Sequence, residues 1–171
     1  MDKFSKLPLR KGVGIVVLNK KNEIFVAKRI DNPKNFWQMP QGGIDKGEKA
    51  IDAAYRELYE ETNIKNVELL KEVQEELTYI LPDNLLGIIW KGRYKGQKQK
   101  WYIMRFIGNE KEINIKTDHP EFLDWKWIKV EELTKVAVSF KSHIYSRLKS
   151  EIENYLINNW YWFQNFNFLF N

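Results

Sequence analysis

Glu57, Glu60 and Glu61 are the residues of this 171-residue chain whose types and spacing are best suited to chemistry. On a helix, at about 100° per residue, they fall within an arc of roughly 100°. Like charges at helical spacing repel and destabilise an isolated helix. A divalent cation offsets that cost directly, and Mg²⁺ in particular prefers carboxylate oxygens and water. Arg56 stands beside the carboxylates and Glu48 lies near the helix start, a pair able to tie the preceding loop to the helix and so hold the acids in place. The Gly42-Gly43 pair lets that loop turn sharply and approach a metal or phosphate closely. Glu-rich segments such as RELYEE are usually solvated faces, so the glutamates alone would not single out a site. The complete spacing from Gly42 onward does.

The elements that must position these residues can be read from periodicity. Residues 48–62 form the best-defined helix, with Ile51, Ala54, Tyr55 and Leu58 recurring at helical period. Asn63 follows, a residue that tolerates the left-handed turn ending a helix. Upstream, residues 12–18 (GVGIVVL) read as a buried strand that turns through 19–22 into a second strand at 23–29, a hairpin. Residues 36–40 (FWQMP) are a brief extended piece, because the residue before a proline is pushed out of helical geometry. Residues 41–47 read as a glycine-punctuated loop. Downstream, residues 67–74, 88–94, 100–106 and 123–130 read as strands. Residues 139–158 read as a second helix, with Ile144, Leu148, Ile152 and Leu156 at four-residue spacing. The class is α+β, with helices packed on a mixed sheet.

No repeat or linker divides the chain, so residues 1–157 read as one domain and 158–171 (NNWYWFQNFNFLFN) as an aromatic and asparagine-rich extension. The extension is too short to cross a bilayer and lacks the basic face of an interfacial anchor. It is expected to pack on its own domain or on a partner. The absence of cysteine excludes disulfides, thiolate metal sites and a cysteine nucleophile. Residues 1–10 lack the apolar core of a signal peptide, and a cytoplasmic protein is expected. The net charge of +5 suits either a polyanionic partner or a lysine-rich surface.

The segment from Gly42 to Ile64 resembles the Nudix box, G-x5-E-x7-R-E-U-x-E-E-x-G-U with U apolar. Gly42, Glu48, Arg56, Glu57, Leu58, Glu60, Glu61 and Ile64 match. Asn63 stands where the family has glycine, and a small stability cost with intact chemistry is expected from it. The resemblance implies a mixed β-sheet sandwiched between α-helices. It also implies attack of a metal-activated water on phosphorus, with Mg²⁺ (Mn²⁺ or another divalent cation substituting) screening the phosphate chain. Glu57, Glu60 and Glu61 would be ligands, together with the Gly42 backbone, and one of them or a nearby glutamate the base.

Further segments, WQMPQGG at 37–43, GQKQKW at 96–101, PEFLDWKW at 120–127 and VSFK at 138–141, resemble the RNA pyrophosphohydrolases of bacteria and the related dinucleoside polyphosphate hydrolases. That resemblance adds Glu121 to the metal site. It implies that Arg10, Arg29, Gln41, Gln97, Lys100 and Lys141 hold phosphates or the first bases, and that Tyr79 and Phe140 stack on a base. The basic and aromatic stretch at 91–102 (KGRYKGQKQKWY) suits a nucleic-acid groove or a lysine-rich hairpin. The substrates implied are RNA 5′ ends, hydrolysed to 5′-monophosphates in RNA decay, or alternatively diadenosine tetra- and pentaphosphates. A non-catalytic Nudix-fold binding module would instead lack a box carboxylate. The oligomeric state is left open.

Overall fold

A computed structural model describes residues 4–31, 34 and 36–169, with side chains to residue 159. Seven strands form one mixed sheet around two central strands, β1 (Leu9–Leu18) and β6 (Gly96–Phe106), whose second halves are nearly continuous apolar runs. These two run parallel in unbroken register from Leu9 opposite Gly96 to Leu18 opposite Arg105. Every other pairing is antiparallel: β2 (Ile24–Arg29) joins β1 and β7 (Phe122–Ile128), while β4 (Val67–Glu72) and β5 (Leu77–Ile80) both line the outer edge of β6. The short β3 (Gln41–Gly43) pairs with the start of β1.

Both faces of the sheet are covered, as near-continuous apolar strands require. On one face Val13, Ile15 and Val17 pack against Ala53, Ala54 and Leu58 of α1 (Ala50–Thr62). On the other, Val16, Trp101 and Ile103 pack against Ile144, Tyr145, Leu148 and Ile152 of α3 (Ser142–Leu169), with α2 (Leu133–Val136) beside it. The expected sandwich is therefore the observed architecture. No helix of the described residues is long and apolar enough to cross a membrane.

Three local expectations need correction. Residues 88–94 are not a strand. They form a tight 3₁₀ turn (Ile89–Gly92) in which Trp90 and Lys91 both adopt left-handed backbone, and Gly87 and Gly92 flank the apolar Ile-Ile-Trp run. The glycine loop after Pro40 is strand β3, and β5 went unread because only four residues pair. On α1, Ala53 rather than Tyr55 completes the buried stripe, and Tyr55 is exposed. The backbone of α3 stays helical past residue 158 to Leu169, so no break marks the expected start of the aromatic extension. The packing expected of that extension's side chains lies outside the described residues.

Candidate active site

The site is built where the C-terminal half of α1 meets the loop around β3 and the junction of β2 with β7. The helix ends where Asn63 takes φ 60°, ψ 10° and donates its N–H to the Tyr59 carbonyl. That left-handed stop leaves Glu57, Glu60 and Glu61 in the last two turns, facing β3. The Glu57 carboxylate accepts the Gly43 N–H at 3.0 Å, and Glu61 accepts the Gln41 N–H at 3.2 Å. A Cβ on Gly42 would lie 1.9 Å from the Glu57 carboxyl carbon, so only glycine admits the carboxylate at that place.

Arg56 is the tie between helix and loop. It donates to both Glu48 oxygens at 2.8 Å, to the Gly43 carbonyl at 2.9 Å, to Glu57 at 2.9 Å and to Glu60 at 3.2 Å. Glu48 also accepts the Asp45 N–H, and with Arg56 beside it its carboxyl is held down at about 2. Planar guanidinium geometry makes such a multidentate hub; an ammonium could not.

At the other side of the cluster, Ile30 N–H bonds the Glu121 carbonyl and joins the end of β2 to the start of β7. A register shift between Lys28 and Arg29 re-aims Arg29, which pairs with Asp31 at 2.7 Å and Glu121 at 3.0 Å. Glu61 is almost fully buried. Burial first, then the neighbouring Glu121 and Glu57 carboxylates, raise its pKa well above the ordinary value, against the Gln41 N–H and Arg29. Glu57 is raised too, chiefly by burial, with Arg56 opposing.

Four carboxylates, Glu57, Glu60, Glu61 and Glu121, thus gather between the end of α1 and the start of β7, with Arg56 and Arg29 among them. As the side chains stand, no three of the described His, Cys, Asp or Glu side chains converge tightly enough to hold a metal ion. Their oxygens are engaged by Arg56 and Arg29 instead. The donor set nevertheless fits a hard cation: it is all oxygen, one member is buried under mutual repulsion, and the Gly42 backbone leaves room directly against Glu57.

A polar floor adjoins the carboxylates on the α3 face of the sheet. Lys141 is buried at the end of a short helical turn, its ammonium 3.1 Å from Gln41 Oε1 and 4.7 Å from the Tyr79 ring centroid. Burial and Arg29 lower its pKa to about 7. Gln41 Oε1 also accepts from Gln99 Nε2 at 3.0 Å; Gln99 in turn donates to Gln97, which accepts from the Tyr79 hydroxyl and donates to the Gly42 carbonyl. Arg10 completes the rim, its guanidinium close over Gly43 and 5.5 Å from the Trp90 ring centroid.

The expected residues therefore separate. Glu57, Glu60, Glu61 and Glu121 come together, joined by Arg10, Arg29, Gln41, Lys141 and the half-buried Phe140. Gln97 and Tyr79 are buried, at 1% and 3% exposure, and Tyr79 packs on Phe140. Both are engaged inside the protein, Tyr79 with Phe140, Gln97 and Lys141, and Gln97 with the Gly42 carbonyl. Lys100 does not belong to the cluster at all. It points to the α1 side of β6 and pairs with Glu72 at 2.6 Å. Gln99, Asp31 and Trp90 were missed. Gln99 was readable, since it shares strand parity with Gln97.

Residues 8–148 match the NUDIX domain family. The chain is 64% identical to the RNA pyrophosphohydrolase of Pelagibacter ubique, over 91% of this chain and 98% of that protein. It is 47% identical to the RNA pyrophosphohydrolase of Cereibacter sphaeroides over 88% and 94% respectively. Among solved structures, a C. elegans Ap4A hydrolase binary complex superposes with a TM-score of 0.61 at 22% identity, covering 85% of this chain and 99% of that one. At that identity it bears on the fold alone.

Proposed function

The chain belongs to the Nudix hydrolase family, and from that premise we propose that it removes the terminal phosphates of RNA, converting a 5′-triphosphate end to a 5′-monophosphate with Mg²⁺ as cofactor. The observation that carries this reading is the 64% identity, over nearly the whole of both chains, to a protein named RNA pyrophosphohydrolase. The geometry agrees with it. Glu57, Glu60, Glu61 and Glu121 are the residues to hold the cation, with Arg56 and Glu48 fixing the loop against the helix. A divalent cation so placed would neutralise phosphate charge and lower the pKa of a water.

The protein's own groups bind and orient the substrate. Arg29 and Arg10 offer guanidinium forks to phosphate oxygens, the geometry that recognises them best. Lys141 supplies a desolvated cation whose charge is favoured once a polyphosphate lies beside it. Phe140, half-buried at the rim, offers a ring edge to the first bases.

The test is product analysis with Mg²⁺, offering 5′-triphosphate RNA and diadenosine tetraphosphate separately and in competition. Preferential release of pyrophosphate from RNA, leaving a 5′-monophosphate end, is expected. A strong preference for the dinucleotide would overturn the RNA reading and leave the hydrolase.

A further inference from the structure

The turn over residues 88–95 sits at the edge of the site and has no part in the hydrolytic reading. Within it Trp90 (φ 52°, ψ 32°) and Lys91 (φ 58°, ψ 31°) are successive left-handed residues, neither of them glycine or asparagine. A bulky residue in that region is a genuine outlier, and two in a row persist only when the surroundings hold them. Here Leu85, Leu86 and Ile89 anchor the segment on the core. Trp90 is partly buried with them and meets Tyr94 edge to face at 6.1 Å. The Arg93 backbone N–H and Nε both donate to the Trp90 carbonyl, and the Arg93 guanidinium lies 5.9 Å from the Tyr94 ring centroid.

The consequence is an outward display of charge. Lys91 and Arg93 are exposed, and neither has a carboxylate partner among the described residues. Within the basic and aromatic stretch the later cations differ, since Lys98 pairs with Glu76 and Lys100 with Glu72. This strip also connects to the site, because the Trp90 ring lies against Arg10, whose guanidinium covers Gly43. The basic and aromatic stretch at 91–102 is therefore divided by the fold. Its second half is buried in β6 or ion-paired, and only its first half faces outward with unmatched charge.

We propose that the turn at 88–95 is an accessory subsite for single-stranded RNA, in which Lys91 and Arg93 contact backbone phosphates downstream of the 5′ end and Tyr94 offers a face to a base. Single-strand sites combine a basic track with aromatic faces, and this turn has both. A polymer reaches from Gly43 past Arg10 and Trp90 to Lys91 and Arg93, whereas a mononucleotide or short dinucleotide stays inside the rim. The inference rests on the RNA reading above and deepens it.

The experiment compares the full-length protein with a Lys91→Gln/Arg93→Gln double variant on single-stranded 5′-triphosphate oligoribonucleotides of two and twelve nucleotides, with Mg²⁺. The wild type is expected to favour the longer RNA by about tenfold in kcat/KM, through KM. In the double variant that preference falls towards one. The salt slope of log KM for the longer RNA drops by about 1–2. The melting temperature should fall by no more than about 2–4 °C, since Lys91 is exposed and the Arg93 backbone N–H keeps its bond to the Trp90 carbonyl when the Nε bond is lost. A Lys91→Glu/Arg93→Glu pair should weaken the longer RNA further. No length preference in the wild type, or one that the double variant retains, overturns the subsite while RNA hydrolysis stands. Inactivity of the wild type on both RNAs, with turnover of diadenosine tetraphosphate, overturns the RNA reading and the subsite with it.

Discussion

Asn63 is the one box position that departs from the family pattern, and its replacement by glycine gives a prediction whose sign is not the intuitive one. The residue closes α1 at φ 60°, where an L-residue pays about 1–2 kcal/mol and asparagine less. Glycine would remove that cost, a gain of at most about 1 kcal/mol. It would also remove the bond from Asn63 Nδ2 to the Glu112 carbonyl at 3.2 Å, in a partly buried setting, worth about 0.5–1.5 kcal/mol. The freer unfolded chain costs a further 0.5–1 kcal/mol, roughly. The balance is a loss of about 0.5–1 kcal/mol for Asn63→Gly. Asn63→Ala loses the same bond and keeps the full left-handed cost, so it should lose about 2 kcal/mol. Urea unfolding at constant m reads both, and melting should fall by about 2–4 °C per kcal/mol for a chain of this size. Both variants should keep kcat/KM, because the helix still ends at the same place. A glycine variant more stable than the parent would refute the argument and show that the contact with Glu112 does not stabilise the stop.

Three further outcomes follow from the same geometry. Glu60→Gln should lower turnover by about 10²-fold or more while unfolding free energy changes by less than about 0.5 kcal/mol, since Glu60 is largely exposed and has one bond, to Arg56; unchanged turnover would remove Glu60 from the metal site. Gly42→Ala places a Cβ 1.9 Å from the Glu57 carboxyl carbon, so Glu57 must leave its Gly43 and Arg56 bonds. Stability should fall by about 1–3 kcal/mol and Mg²⁺-dependent activity should collapse, whereas a variant with wild-type kinetics would show the cradle to be unnecessary. Lys141→Met tests a pH dependence. The folded pKa of about 7 lies below the usual lysine value, so the folded state binds fewer protons than the unfolded one between those values. The native lysine therefore costs stability most below pH 7, and the cost fades as pH rises towards 10. The methionine variant should be more stable by about 1–3 kcal/mol at pH 6, the advantage shrinking by pH 10. An advantage independent of pH would place the ammonium in water.

The carboxylate site was legible because it is written in one element. Helical spacing alone sets Glu57, Glu60 and Glu61 side by side, and the left-handed tolerance of Asn63 marks where the helix must stop. The floor beside it was only half legible, because it is written across strands, where the deciding quantity is parity. Gln97 and Lys100 are three residues apart, so on one strand they face opposite ways. Resemblance nominated both for the substrate, but an unbroken strand from Gly96 to Phe106 cannot give both to one site. Parity excludes Lys100 and admits Gln99, the residue that joins Gln41 to Gln97. Propensity alone starts the strand at residue 100, because Gly96-Gln97-Lys98-Gln99 has no β-branched or apolar character. Its β structure comes from pairing with β1 and β5 rather than from propensity. The same holds for β3, where two glycines pair with Gly12 and Val13 of β1 and so bring Gly42 against Glu57. The turn at 88–95 failed in the opposite direction: its Ile-Ile-Trp run has strand propensity, and the chain instead holds two left-handed residues there. Propensity therefore failed at the edges of the site, where neighbouring strands and strained backbone, rather than the local sequence, fix how groups approach the carboxylates.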